Sequence, residues 1–393
     1  MEYYSLICHN SRTTFTRRLR IMYYISLFFY ILQKAVSVNK RLIFGVFIIL
    51  LLNSPIVNAN QALESDLNSI RRVVSEIYAI DASNMNAQLL SGGASGDSLY
   101  FVKVDDKQLL LRIYKIGKPI EDRKLEVSCT KIASDLGVGP RFLYASKGFN
   151  ILATNFVEGA TPTIDTFAND DAVKMLAESL KKLHNAPKFP REWNVFEYIK
   201  RLVPKTPDHK IVLALKNLSV IENSLQVAKF SKKPSHNDVH PGNLFITEGS
   251  FMFIDWGDAG MADPYWDLAR ASMEFAFAPE QDAKFLAHYL GNITDLDRSR
   301  FFLMKQVFLL RAALWINGRD GMLDSTALRR VKGVFAANGC SMCIGNKDVL
   351  WGEVASAALD LFLQNCKTDY FKHSLDAVEG SRRCDRKRDI ELY

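Results

Sequence analysis

Four polar residues in the second half of the chain have the types and spacing that phosphoryl transfer needs. His236, Asp238 and Asn243 share one short polar segment, and Asp255 follows a little further on. An amide and a carboxylate offer the oxygen ligands that Mg²⁺ accepts, and a nearby free carboxylate can take the proton of an attacking hydroxyl. The four residues therefore indicate metal-assisted transfer of a phosphoryl group.

The segment between Asn243 and Asp255 predicts how these two residues meet. Two strand-like runs, Leu244–Thr247 and Phe251–Ile254, are separated by the turn sequence Glu-Gly-Ser. A β-hairpin of this kind folds its two ends together. We therefore expect Asn243 and Asp255 to lie side by side, with Asp238 close to both.

The spacing His-x-Asp-x-x-x-x-Asn, with His-Pro-Gly-Asn and then Ile-Asp-Trp, resembles the catalytic loop of the kinase superfamily. It is most similar to the small-molecule branch, the choline/ethanolamine kinases and aminoglycoside phosphotransferases. Protein kinases would show Asp-Phe-Gly and a later Ala-Pro-Glu, and neither is in the right place. The resemblance spans about residues 90–276. It implies an α+β, protein-kinase-like two-lobe fold with a small β-rich N-lobe and a larger, mainly helical C-lobe. The alternative is a polar loop in an unrelated α/β protein.

The resemblance also implies a role for each matching position. Asp238 would be the catalytic base, and Asn243 and Asp255 would bind Mg²⁺ that bridges the phosphates of ATP. Arg112 would contact those phosphates, because Arg can hold phosphate oxygens in a bidentate way. Glu126 would pair with Arg112.

Other residues near the loop receive supporting roles. His236 would brace the loop through hydrogen bonds, His240 would be structural, and Asp267 would anchor the loop. Where many relatives have an acidic residue directly after Ile-Asp-Trp, this chain has Gly257 followed by Asp258. This displacement leaves the role of Asp258 open.

A Gly/Ser-rich segment, Leu90–Ser98, precedes two strand-like runs, Leu99–Val104 and Leu109–Tyr114. Glycines let backbone N–H groups approach phosphates closely, so Gly92 and Gly93 are candidate nucleotide-binding residues. The segment is not a Walker A loop, because no Gly-Lys-Ser/Thr follows. Without the rest of the chain it would equally suit a flexible surface turn.

Arg112 lies in the second of these strands between apolar residues. If it is simply an exposed strand residue, Lys103 and Lys115 are the alternative phosphate-binding cations.

A helix is predicted over Ile120–Leu136, because Gly137 and Gly-Pro follow it. Glu126 lies in its middle, and Glu121 is the competing partner for the strand cation. Beyond this helix, the resemblance implies a hinge near Asn155 and Val157 whose backbone groups would face adenine.

The remaining organisation follows from composition. Ala172–His184 and the region from Asp267 to about Thr368 have helical patterns, whereas Glu379–Tyr393 is densely charged and predicts disorder. The predicted divisions are a hydrophobic leader (1–60), a nucleotide-binding N-lobe (61–158), a catalytic C-lobe (159–370) and a charged, disordered tail (371–393).

The leader carries its own signal. Two apolar runs, Ile21–Leu32 and Leu42–Leu52, are each shorter than a membrane span. Lys40-Arg41 precedes the second run and Val57-Asn58-Ala59 follows it, which is the layout of a signal peptide. Export, a membrane anchor, a later start codon with a cytoplasmic enzyme, and a buried core helix all stay open. Export would separate a kinase from its ATP.

Charge and cysteine content exclude other classes. The formal net charge is +7, and residues 1–41 carry +6 of it, so the body is nearly neutral and nothing indicates nucleic-acid binding. Cys340 and Cys343 form a single C-x-x-C, which is a weak zinc or redox signal without further ligands. The sequence does not indicate an oligomeric state.

The acceptor is predicted to be a small-molecule alcohol. Choline is a quaternary ammonium, which aromatic faces bind, and the sequence offers a possible cage from Trp256, Tyr265, Trp266, Trp315 and Trp351. Each of these residues is as easily a core aromatic. Aminoglycosides would need carboxylates near the base, for which Asp258, Asp263 and Glu274 are available. Thiamine is a further candidate.

Two alternatives belong to other functional classes. His236, Asp238 and His240 have the close spacing of a zinc hydrolase site, but this leaves Asn243 and Asp255 unexplained. A catalytically silent kinase fold that serves as a binding module is disfavoured, because the base and both metal ligands are present.

Overall fold

The computed structural model describes residues 55–90, 96–318 and 351–390. The chain divides into two compact units, Met1–Arg72 and Val73–Tyr393. The described part of the first unit belongs to one helix, α1 (Pro55–Tyr78). The predicted boundary after residue 60 therefore falls inside a helix, and not between two elements.

An antiparallel five-stranded sheet follows α1, with the strand order β1-β2-β3-β5-β4. Its strands are β1 (Asn86–Leu90), β2 (Ser98–Val104), β3 (Lys107–Ile113), β4 (Phe142–Ala145) and β5 (Ile151–Asn155). Alternate residues of β2 and β3, such as Tyr100, Val102, Leu109 and Leu111, are buried, as expected when one face of a sheet is covered. β3 is the central strand of the sheet and pairs with both β2 and β5. The strand that carries Arg112 is therefore hydrogen-bonded along both edges.

Helix α2 (Ile120–Leu136) crosses from β3 to β4 and has the predicted bounds. It ends at Gly137, whose φ of 68° is the left-handed conformation that glycine adopts without strain. Its buried residues include Glu126, so this carboxylate faces inward.

The remainder of the described chain is mostly helical. Its helices are α3 (Asp170–His184), α4 (Val195–Leu202), α5 (His209–Ala228), α6 (Pro264–Glu274), α7 (Pro279–Leu290), α8 (Asp295–Asn317), α9 (Trp351–Asn365) and α10 (Asp369–Ile390). Every residue of α6 is buried, and α8 packs against α6, α9 and α10. This helical core supports the short strands and loops that carry the site.

Four short strands lie between α5 and α6. They form two antiparallel pairs, β6 (Lys233–Ser235) with β9 (Gly260–Ala262), and β7 (Leu244–Thr247) with β8 (Ser250–Phe253). The predicted hairpin is confirmed, with its second strand shifted by one residue. The β6–β9 pair closes the loop that contains both ends of the hairpin.

The predicted disordered tail is wrong for residues 371–390, which lie in α10. Phe371, Ser374 and Val378 are buried, and this spacing places them on one face of a helix. Charge density along the segment concealed this apolar face.

Several predictions fall outside the described residues. These are Gly92 and Gly93, Cys340 and Cys343, the side chain of Trp351, and the apolar runs of the leader. Within the described ranges, no helix is both long and apolar enough to cross a membrane.

Candidate active site

The predicted base and its neighbouring amide are in direct contact. Asn243 ends a short 3₁₀ turn, Pro241–Asn243, that follows the loop after β6. Its side-chain Nδ2 donates to Oδ2 of Asp238 at 2.8 Å and to the Asp238 carbonyl at 3.0 Å. Because the amide nitrogen must face these acceptors, Asn243 Oδ1 points away from Asp238 and is available as a ligand.

Asp267 on α6 fixes the backbone before the base. Its fully buried carboxylate accepts hydrogen bonds from the backbone N–H of His236 at 2.7 Å and of Asn237 at 2.8 Å. Asn237 has a positive φ of 65°, a conformation that a non-glycine residue keeps only when its surroundings hold it. The predicted anchoring contact of Asp267 is confirmed, and His184 Nε2 supports it at 3.1 Å.

Both ring nitrogens of His236 are engaged within the loop. Nε2 lies 2.9 Å from the carbonyl of Ile254, and Nδ1 accepts the backbone N–H of Asp238 at 3.2 Å. Burial lowers the pKa of His236, which favours the neutral ring. His236 therefore braces the loop as predicted and has no nitrogen left for zinc. Among the described residues, no group of three or more His, Cys, Asp or Glu side chains is arranged to hold a metal.

Arg270, also on α6, contacts the base and was missed from the sequence. Its Nη2 lies 2.5 Å from Asp238 Oδ1, and its Nε and Nη1 donate to the carbonyls of Val239 and Asn237. Burial raises the pKa of Asp238, but Arg270 and His240 outweigh burial and bring it well below its usual range. The carboxylate is therefore ionised and held in one orientation. A charged residue in a helix is usually exposed to solvent, so Arg270 was not predicted to be buried. In the structure every residue of α6 is buried.

The hairpin places Asp255 beside this loop. The backbone N–H of Ile254 donates to the carbonyl of Asn243 at 2.9 Å, so the predicted meeting of the two hairpin ends is confirmed. Asp255 has a φ of 61°, a left-handed conformation that costs energy in a residue with a Cβ. Arg191 donates to the carbonyls of Gly257 and Ala259 and so supports this turn.

A cluster of charges joins Asp255 to the five-stranded sheet. Arg112 Nη1 lies 2.7 Å from Glu126 Oε1 and 3.3 Å from Asp255 Oδ1. The predicted pairing of Arg112 with Glu126 is confirmed. Burial by itself would lower the pKa of Arg112, but Asp255 and Glu126 raise it further than burial lowers it. A strand, a helix and the turn after β8 thus meet at one guanidinium.

Two further members of this cluster were missed from the sequence. Lys118 Nζ lies 2.9 Å from Glu126 Oε2 and 3.2 Å from Asp97 Oδ2. Lys118 lies in the turn before α2, where no periodic pattern marks an inward-facing side chain. The alternative candidates Lys103, Lys115 and Glu121 are exposed, and Lys115 reaches the cluster through its backbone N–H, which donates to Asp97 Oδ1 at 3.0 Å.

A cavity of about 40 Å³ lies between the sheet, α2 and the turn after β8. Arg112, Thr154 and Asp255 are among the residues that line it. At the end of β5, the N–H of Asn155 donates to the Arg141 carbonyl at 2.9 Å. The N–H of Asn155 is therefore already used, and the prediction that the backbone near Asn155 and Val157 faces adenine stays a prediction.

The proposed aromatic cage is wrong for three of its members. Trp256, Tyr265 and Trp266 are at most 3% exposed and belong to the core. The ring of Trp315 is approached by the guanidinium of Arg311, with Cζ 5.3 Å from its centroid. The chain's own cation therefore lies where a substrate cation was predicted.

The three carboxylates considered for a cationic substrate differ in their surroundings. Asp263 caps α6 and pairs with Arg300 at 3.0 Å, so it is structural. Burial, followed by repulsion from Asp238, raises the pKa of Asp258. Glu274 lies 3.8 Å from Arg270, which itself contacts Asp238. Asp258 and Glu274 are therefore the two carboxylates in the charged surroundings of the base.

Comparison with known proteins gives a family. Residues 86–302 match the family model described as the phosphotransferase enzyme family. The chain is 28% identical over 165 residues to Protein LicA homolog of Mycoplasma capricolum subsp. capricolum, a match that covers 41% of this chain and 65% of the relative. It is 26% identical over 170 residues to Protein LicA of Haemophilus influenzae, covering 41% of this chain and 62% of the relative. These matches span less than two thirds of either relative.

Solved structures share the fold. A choline/ethanolamine kinase family protein from Mesorhizobium loti superposes with a TM-score of 0.59 at 20% identity, covering 80% of this chain and 99% of that chain. Choline kinase LicA from Streptococcus pneumoniae superposes with a TM-score of 0.52 at 21% identity, covering 68% of this chain and 99% of that chain. The predicted two-lobe kinase-like α+β fold is confirmed.

Proposed function

Because the chain belongs to the phosphotransferase enzyme family, we propose that it transfers the γ-phosphoryl group of ATP to the hydroxyl of a small-molecule alcohol. The contacts of Arg112 carry this proposal. Its guanidinium binds the α2 carboxylate of Glu126 and also reaches Asp255. A strand cation paired with a helix Glu, next to a metal-binding Asp, is the arrangement that kinases assemble around nucleotide phosphates.

The residues present fit a bound Mg²⁺. Asn243 offers an amide oxygen that its own hydrogen bonds turn away from Asp238, and the side chain of Asp255 is 42% exposed. These are the hard oxygen donors that Mg²⁺ prefers, and a site of this kind leaves further positions for water and phosphate. When bound, Mg²⁺ would neutralise charge on the β- and γ-phosphates.

Asp238 is proposed to receive the acceptor hydroxyl. Arg270 and Asn243 hold one carboxylate oxygen each, so the carboxylate has little freedom to rotate. Its depressed pKa keeps it ionised, and an ionised carboxylate can accept the hydrogen bond of the alcohol and later its proton. Orientation of the attacking oxygen is the larger part of this role, because phosphoryl transfer proceeds through a loose transition state.

Choline and ethanolamine are the first acceptors to test. One structure with this fold is named a choline kinase and another a choline/ethanolamine kinase family protein. Aminoglycosides and thiamine are the alternatives within the same chemistry. A catalytically silent binding module is the alternative of another class, and Asp238, Asn243 and Asp255 together argue against it.

An acceptor screen tests the proposal. The full-length protein is incubated with ATP, Mg²⁺ and choline, ethanolamine, thiamine or an aminoglycoside, and ADP and phosphorylated product are both quantified. We expect ADP and product in equal amounts with at least one alcohol. Binding of ATP without turnover of any alcohol would instead support the silent module.

The metal assignment has its own test. Asp255→Ala should weaken Mg²⁺-dependent ATP binding more than Asn243→Ala, because a carboxylate supplies charge to the metal and an amide does not. Titration of Mg²⁺ at fixed ATP measures this. An unchanged Mg²⁺ requirement in Asp255→Ala would contradict the assignment, and rescue by zinc would favour a hydrolase.

We also propose that the leader lies outside the catalytic body and associates with membranes through its apolar runs. Its basic residues before Leu42–Leu52 support this. Since α1 begins at Pro55, a deletion of residues 1–54 leaves that helix whole. The truncated protein should remain active and lose binding to lipid vesicles. Loss of folding in the truncated protein would show that one apolar run is a core helix.

A further inference from the structure

A buried arginine near the base has no polar partner in the described chain. Arg311 lies on α8, is 8% exposed, and has an enclosed Nε that makes no hydrogen bond. Its contacts are ring faces, with Cζ 5.7 Å from the Tyr198 centroid and 5.3 Å from that of Trp315. Buried charges are normally paired, because an unpaired one loses its hydration without compensation.

The carboxylates near Arg311 are already engaged by another cation. Arg311 lies on α8, which packs against α6, the helix that carries Arg270 and Glu274, and the charges of Arg270, Asp238 and Glu274 act on its pKa. Arg270 lies 2.5 Å from Asp238 and 3.8 Å from Glu274. Burial and then repulsion from Arg270 lower the pKa of Arg311. A bound anion would compensate Arg311 for its lost hydration and would offset the repulsion from Arg270.

The two rings also restrict what can bind beside the base. Aromatic faces are the usual site for a quaternary ammonium, but at Tyr198 and Trp315 a guanidinium is already there. A guanidinium that faces aromatic rings keeps its N–H groups available for hydrogen bonds, and its fork of donors matches a carboxylate. The ring contacts therefore orient Arg311 as a donor and do not satisfy its hydrogen bonds.

We propose that Arg311 binds a carboxylate of the acceptor while the acceptor hydroxyl reaches Asp238. This deepens the proposed function and rests on it. The acceptor is then an alcohol that carries an acid group, with or without an amine. An amine would find Asp258 and Glu274 nearby.

Matched acceptors that differ by one carboxylate test the inference with the full-length protein. The pairs are serine against ethanolamine, homoserine against 3-amino-1-propanol, and glycerate against ethylene glycol. For at least one pair, kcat/KM of the wild type should be roughly tenfold or more higher for the carboxylate member, as expected for a charge-assisted hydrogen bond. Arg311→Met should bring that ratio close to one without changing the KM for ATP. Arg311→Lys should retain part of the preference.

Arg300→Met is the matched control. Arg300 also lies on α8 and stacks on the rings of Phe230 and Tyr265, but it is paired with Asp263. This variant should leave the carboxylate preference unchanged.

Turnover of choline or ethanolamine, with no gain from a carboxylate in any pair, would overturn the inference and leave the proposed function standing. Absence of turnover with every alcohol would overturn both. If Arg311→Met does not fold, the ratios of the wild type and of Arg311→Lys still decide.

Discussion

Glu126 offers a sharp test of the charged cluster, because one carboxylate binds two cations. Its two oxygens lie 2.7 Å from Arg112 and 2.9 Å from Lys118. Glu126→Gln keeps the size of the side chain and removes its charge. The amide retains one acceptor oxygen and presents an NH₂ group to the other cation, so one of the two contacts becomes repulsive.

The expected magnitude follows from burial. Removing one partner of a buried ion pair costs about 3–5 kcal/mol. The side chain of Glu126 is 2% exposed, whereas those of Arg112 and Lys118 keep 12% and 17% exposure, so water compensates part of the loss. We expect the free energy of unfolding to fall by about 2–3 kcal/mol. The KM for ATP should rise by roughly ten- to hundredfold, since hydrogen bonds to charged groups contribute about 1.5–3 kcal/mol.

Urea unfolding and steady-state kinetics measure the two effects, and Glu121→Gln is the matched control on the same helix. Glu121 is exposed, so its variant should match the wild type in both assays. If Glu126→Gln is as stable as Glu121→Gln and has an unchanged KM for ATP, the reasoning about this cluster is refuted.

Further predictions concern the base, its anchor, the tail helix and a buried thiol. Asp238→Asn should lower kcat by about 10²–10⁴-fold and leave ATP binding intact; near-normal turnover would show that another group accepts the proton. Asp267→Asn should unfold in less urea and lose activity, because a fully buried acceptor of two backbone N–H groups becomes partly a donor; wild-type stability would contradict the anchoring role. Phe371→Ala should cost about 3–5 kcal/mol if α10 packs as described, and an unchanged urea midpoint would restore the disordered tail. Burial raises the pKa of Cys129 to about 12, so at pH 8 its thiol should react with iodoacetamide only after unfolding; rapid labelling of the native protein, located by mass spectrometry, would show that it is exposed.

Local patterns predicted the hairpin and α2 well, because their signals lie within the segments themselves. Turn residues and alternating apolar residues define the hairpin between Asn243 and Asp255, and Gly137 terminates α2. The pairing of Arg112 with Glu126 was predicted from the family resemblance. In the structure, Arg112 Nη1 lies 2.7 Å from Glu126 Oε1.

The rest depended on contacts between distant segments. Arg311 lies within the apolar run Val307–Ile316, which indicates burial, but the partners of Arg270 and Arg311 come from segments distant in sequence, and Lys118 lies in a turn. From the sequence alone, Trp266 and Tyr265 could belong either to a substrate-binding cage or to the hydrophobic core, because only the packing of the helices decides between the two. The charged sequence of α10 hid an apolar face spaced for a helix, because a few residues such as Phe371, Leu375 and Val378 define it.

The central claim is that the γ-phosphoryl group of ATP reaches an alcohol oxygen near Asp238. ³¹P NMR of the complete reaction measures this directly. With an accepted alcohol, a phosphomonoester signal should grow in step with ADP for the wild type and should be strongly reduced for Asp238→Asn. Release of inorganic phosphate alone, or a phosphomonoester formed equally fast by Asp238→Asn, would contradict the account.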